Sequence, residues 1–126
     1  MPDGLPAELK AFLFSCIDSV EQLETFTLVG RSGQGWTARA AGERLGLSDL
    51  AARHHLETLA ARGLLQISVG EEVSYSYGPK TADLQRYADM LFVRYAERRG
   101  EVIRFVASSP ERLKRFSKAF KLRDPE

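Results

Sequence analysis

A mainly α-helical fold with one small β-hairpin is predicted by three features of the chain. Two short helical segments, starting at Thr37 and Ser48, are separated only by Gly46-Leu47. After them, residues 64–69 and 73–77 alternate apolar and polar side chains about a Gly70-Glu71-Glu72 turn, which is how an antiparallel hairpin reads. From Thr81 to Ser108 apolar residues then recur at threes, fours and sevens, the period of a long amphipathic helix.

The remaining elements follow in order. Pro6 suits the first turn of a helix that ends near Ile17, with Leu9, Phe12, Leu13 and Cys16 on one side. Cys16, the single cysteine, excludes an internal disulfide and reads as a small buried hydrophobe. Ser19 and Gln22 have capping-box spacing and open a second helix to about Val29, burying Val20, Leu23 and Phe26. Residues 30–35 form a loop; it has no Gly-Lys-Ser/Thr ending and no strand before it, so it is not a phosphate cradle. Trp36 anchors a short third strand, with its ring in the core. Thr37 caps the next helix, Gly46 ends it in the left-handed conformation, Leu47 enters the core, and Ser48 caps the helix that runs to Arg62-Gly63. So tight a turn forces the two helices to cross closely, and Gly42 and Ala52 sit where the crossing falls. Ala41, Leu45, Leu56 and Leu59 follow at helical spacing on the inner face. Gly100, mid-way along the long helical stretch, marks either a weak point or a close approach. Ser109-Pro110 ends that stretch and opens a last helix with Leu113, Phe116 and Phe120 on one face.

A helix-turn-helix with an appended hairpin resembles the winged helix-turn-helix transcriptional regulators of bacteria, in the broad MarR-like sense. The residues that carry the resemblance are E-R-L-G-L-S at 43–48, H-H-L-E-T-L-A-A-R-G-L-L at 54–65 and the hairpin ending Y-S-Y-G-P at 75–79. The resemblance implies a winged-helix fold with an N-terminal helix and a long C-terminal helical extension. It also implies double-stranded DNA as partner, regulation of transcription, and a homodimer held by helices outside the winged part. At 126 residues the chain is of single-domain size. It divides into 1–80, the N-terminal helix and winged helix-turn-helix, and 81–126, a helical dimerisation extension. Leu84, Leu91, Tyr95, Val102, Val106, Leu113, Phe116 and Phe120 are the expected seam, with a last helix folding back within a monomer as the alternative.

With helix 48–62 in a major groove, Ala52, Leu56 and Leu59 face the core, and Asp49, Leu50, Ala51, Arg53, His54 and Glu57 face outward. Arg53 is the base-reading candidate, because its planar fork can bond a guanine edge twice. His54 can donate to a base or a phosphate, Ser48 and Thr37 to phosphates, and Arg39 can clamp the backbone. A solvated surface role for Arg39 and Arg53 stands beside this. Two features oppose strong DNA binding: the acidic tip Glu71-Glu72, which phosphates repel, and the exposed Leu50 with Asp49 and Glu57 near the one arginine. The alternative is a winged-helix protein–protein interaction module or adaptor that does not bind DNA.

Net charge is only +1, which excludes an obligate nucleic-acid coater. Its distribution is uneven: residues 1–30 hold one base against five acids, and 109–126 hold six bases against three. No apolar run reaches membrane-spanning length and no leader pattern opens the chain, so a cytoplasmic protein is expected. His54 and His55 point about 100° apart on a helix and have no partner one turn away, so no metal is expected. Paired Cys/His ligands of metal-sensing relatives are missing. No catalytic motif occurs, so neither an enzyme nor a cofactor is expected. Tyr87, Phe92 and Tyr95 leave a small-molecule effector open beside a plain core role.

Overall fold

Local signals set nearly every boundary in the chain. In the computed structural model, which describes residues 4–108, the order is α1 (Ala7–Cys16), α2 (Val20–Ser32), β1 (Trp36–Thr37), α3 (Ala38–Leu45), α4 (Asp49–Ala61), β2 (Leu65–Val69), β3 (Val73–Tyr77), α5 (Ala82–Glu97) and α6 (Arg99–Ser108). This is the mainly α fold with a β-hairpin wing that the patterning predicts. The strands form one antiparallel sheet in the order β1-β3-β2, with Trp36 opposite Tyr75 and Val69 opposite Val73. Trp36 and Tyr75 are buried, so the short third strand does anchor the hairpin to the core.

The turn between α3 and α4 is built as its residues dictate. The Thr37 hydroxyl accepts from Ala40 N at 3.1 Å and the Ser48 hydroxyl from Ala51 N at 3.1 Å, each satisfying a first-turn amide. Gly46 takes φ 75°, the left-handed region that ends α3. Leu47 N then donates to Gly42 O at 2.8 Å, closing the turn. A Cβ on Gly42 would lie 2.7 Å from Leu47 O and 3.5 Å from Ala52 Cβ, so the crossing needs glycine there. Leu47 itself is half-buried and not part of the core.

One continuous core joins the helices to the wing. Leu9 and Leu13 of α1, Leu23 and Phe26 of α2, Leu56 and Leu59 of α4, Leu91 of α5 and Val102 of α6 are all fully buried in it. Phe26, Tyr77 and Phe92 meet with ring centroids 5.2–6.2 Å apart. That contact explains why α2 extends to Ser32 and does not stop near Val29: Gly30 stays helical, and its missing side chain makes room for the Phe92 ring. The helix ends at Gly33, φ 73°.

The stretch from Thr81 is not one helix. It breaks at Arg98, with φ −140° and ψ 58°, two positions before Gly100. Arg98 Nη1 holds Glu101 Oε2 at 3.1 Å across the break. The break lets α6 fold back against α1 and α2. A straight helix would have carried Val102 and Val106 away from so small a core; here both are fully buried. No helix among the described residues is long and apolar enough to cross a membrane.

Candidate nucleic-acid interface

Helix α4 turns two unlike faces to its surroundings. Ala52, Leu56 and Leu59 have no exposed surface and rest on the core. Asp49, Leu50, Arg53, His54 and Glu57 are exposed, with Leu50 72% accessible, and Ala51 is half-buried. No described residue covers the outer face. Ser48, also exposed, begins it. The structure therefore brings Ser48, Asp49, Leu50, Arg53, His54 and Glu57 onto one side of a single helix. Thr37 and Arg39 lie apart at the start of α3, where Arg39 meets Glu43 one turn on at 3.7 Å, both largely solvated.

The wing adjoins this face. Tyr75 of β3 lies beneath it, and its hydroxyl is pushed above the ordinary phenol range by burial, then by the Glu57 carboxylate it bonds, with Arg53 opposing. Arg53 and Glu57 thus share one electrostatic environment with the sheet. Ile67, Val69 and Val73 are exposed along the hairpin, and Glu71-Glu72 at its tip face solvent.

A polar strut beneath α4 fixes its pose. Gln22, fully buried on α2, accepts through Oε1 from Asp18 N at 2.8 Å and from Arg62 Nη1 at 3.2 Å. Its Nε2 faces His55 Nδ1 at 3.4 Å. Since the Gln22 amide nitrogen can only donate, His55 Nδ1 accepts, and the Nε2–H points to Glu21 Oε1 at 3.2 Å. Arg62 also donates to Cys16 O at 2.8 Å and to Asp18 Oδ2 at 3.0 Å. Arg62 is therefore turned into the α1–α2 corner and does not join Arg53 on the outer face. His55 is half-buried and belongs to this strut. The capping-box spacing did signal Gln22, because Ser19 Oγ accepts from Gln22 N at 3.1 Å. Its reciprocal arm reaches Asp18 N, one residue earlier than the motif requires.

The residues expected at a dimer seam sit elsewhere than on a free surface. Leu91, Val102 and Val106 have no exposed surface, Tyr95 is buried, and Leu84 is partly buried against the same core. Their stripe is occupied by this chain's own α1 and α2. Leu113, Phe116 and Phe120 lie outside the described residues. Tyr87 and Phe92 also pack on the core, Tyr87 5.9 Å from Phe12 between ring centroids. Among the described residues no group of three or more His, Cys, Asp or Glu is placed to hold a metal.

Solved structures share this layout. NolR from Sinorhizobium fredii superposes with a TM-score of 0.51 at 21% identity, over 71% of this chain and 86% of its own. That likeness bears on the fold alone. An ArsR-like transcriptional regulator from Rhodococcus sp. RHA1 is 33% identical over 82% of this chain and 95% of its own, with a TM-score of 0.49. The multiple antibiotic-resistance repressor MarR from Listeria monocytogenes 4b F2365 is 18% identical over 91% of this chain and 80% of its own, TM-score 0.49. No protein-family model matches the chain, and no curated protein sequence does. With one residue in three shared across nearly the whole of the Rhodococcus regulator, the chain belongs to the winged-helix transcriptional regulators.

Proposed function

We propose that this regulator reads duplex DNA with α4, as a dimer. The observation that carries the reading is the uncovered outer face of α4, which presents Arg53 and His54 while Ala52, Leu56 and Leu59 fasten the helix from below. Arg53 reads a base edge; Ser48, Thr37 and Arg39 meet phosphates at the helix starts. The flanking acids Asp49, Glu57, Glu71 and Glu72 lower the affinity, and the cationic contacts that remain, Arg39 among them, make it salt-sensitive. Fluorescence anisotropy on random duplex and on a duplex selected from a random pool tests this at low salt. Arg53→Ala is expected to lose about 1–3 kcal/mol of discrimination between the two and less of its affinity for random duplex. Equal losses on both would make Arg53 a phosphate contact, and silence on both duplexes from a folded protein would remove DNA from the reading.

For the dimer, residues 81–126 remain the proposed self-association part, through surfaces other than the buried stripe. Support comes from exposed Val93 and a groove of about 590 Å³ between α1 and α5, lined by Pro6, Leu9, Met90 and Val93 among others. Light scattering coupled to size exclusion is expected to give twice the chain mass at micromolar concentration; a strict monomer sinks this part. One observation favours a second reading, a protein-docking module. Ile67, Val69 and Val73 are exposed apolar side chains beside an acidic tip, and Leu50 is exposed on α4; the hairpin surface suits a basic, partly apolar protein segment.

A further inference from the structure

We propose that the cleft where α2, α3, α5 and α6 meet binds a small organic phosphate. The cleft holds about 650 Å³ and is lined by Glu24, Leu28, Arg31, Arg44, Tyr95 and Arg99 among others, within the size range of small-molecule sites. Three guanidinium groups converge on it, and aromatic rings hold each one. Arg31 and Arg99 both lie over the Tyr95 ring, 5.9 and 5.4 Å from its centre, and Arg44 lies 5.9 Å from the centre of Trp36. Such stacking restrains long side chains before any ligand arrives.

The charges are out of balance. Glu24 is the one carboxylate in the lining, and it reaches only Arg99, at 3.9 Å. Elsewhere among the described residues Arg39 pairs with Glu43, Arg62 with Asp18, Arg86 with Glu8 and Asp83, and Arg98 with Glu101, while the other arginines without an acid partner, Arg53, Arg94 and Arg104, do not line this cleft. Arg31 and Arg44 have no carboxylate partner among the described residues. The surplus of two positive charges matches a phosphomonoester, which carries nearly two negative charges and three acceptor oxygens suited to guanidinium forks. Leu28 gives its organic part an apolar wall. Because Arg44 sits on α3 and Arg99 on α6, an occupant would tie the helix-turn-helix to the C-terminal helices. Only this coupling rests on the proposed DNA reading; the binding itself does not.

The test is calorimetric titration of the full chain, without DNA, by inorganic phosphate and by an aryl phosphomonoester at constant ionic strength. Saturable binding is expected, tighter for the ester. The double substitution Arg31→Gln/Arg44→Gln should weaken it about tenfold or more, since charge-assisted hydrogen bonds are lost. Arg44→Lys, which keeps the charge and loses the fork, should fall between, and Arg86→Gln on the far side of the fold should leave it unchanged. Circular dichroism checks that each variant is folded. No saturable binding at millimolar ligand, or equal binding by the double variant, overturns the proposal. So does a double variant that loses duplex affinity while the native chain binds no ester, which would make these arginines DNA contacts.

Discussion

Gly42→Val is expected to destabilise the protein by about 3 kcal/mol, at the upper end of overpacking costs. The Cβ would stand 2.7 Å from Leu47 O and 3.3 Å from Ser48 O. Both are backbone atoms of the turn, and Leu47 is already tied to Gly42 O at 2.8 Å, so neither can retreat without opening the turn between α3 and α4. A branched side chain brings no helix-propensity gain large enough to offset this; Gly42→Ala, which gains about 1 kcal/mol of propensity, should be milder. Gly46 provides the contrast. It has nothing within 4 Å of its would-be Cβ but sits at φ 75°, so Gly46→Ala should cost only the left-handed backbone strain of about 1–2 kcal/mol. Urea denaturation followed by circular dichroism reads all three. A Gly42→Val midpoint equal to the native one would show that the helices do not cross as described.

Gln22→Leu is expected to cost about 2–3 kcal/mol although it nearly conserves volume. The loss is polar: Asp18 N loses its acceptor, Arg62 loses one of three, and His55 Nδ1 is left facing a methyl group. Buried groups stranded in this way each cost about 1–3 kcal/mol, more when charged. If α4 is held by this strut and reads duplex DNA as proposed, the variant should also weaken duplex binding more than its residual folded fraction accounts for. Unchanged stability would mean that water takes over all three contacts, and that the strut does not set the helix.

The α3–α4 turn and the wing were legible because each signal lies within a few residues of what it controls. Thr37 and Ser48 cap amides three residues on, and Gly42, Gly46 and Ala52 fall within one turn of each other's contacts. The outward set on α4 was legible for the same reason, since helical period alone separates Arg53 from Leu56. Arg62 was not. Its partners stand 40, 44 and 46 positions earlier, and no local pattern distinguishes an arginine facing solvent from one folded onto a distant helix end. The break at Arg98 was hidden by the stripe it serves, because apolar residues on both sides point to one core and keep their rhythm across it. Leu84, Leu91, Tyr95, Val102 and Val106 went into this chain's own core for a related reason: an apolar stripe states that a face is covered, never by which chain. The arginines that line the cleft beside Tyr95 come from α2, α3 and α6, and only folding assembles them.

The sheet order β1-β3-β2 leaves the outer side of β2 unpaired among the described residues. Such a rim, with Ile67 and Val69 exposed on it, is a template onto which another strand can zip. Two wings aligned rim to rim in opposite directions would bring each Glu71-Glu72 pair beyond the far end of the other strand, whereas parallel alignment would press the two pairs together. Like-charge repulsion therefore penalises the parallel, in-register pairing of two wings through this rim and leaves only the antiparallel one cheap.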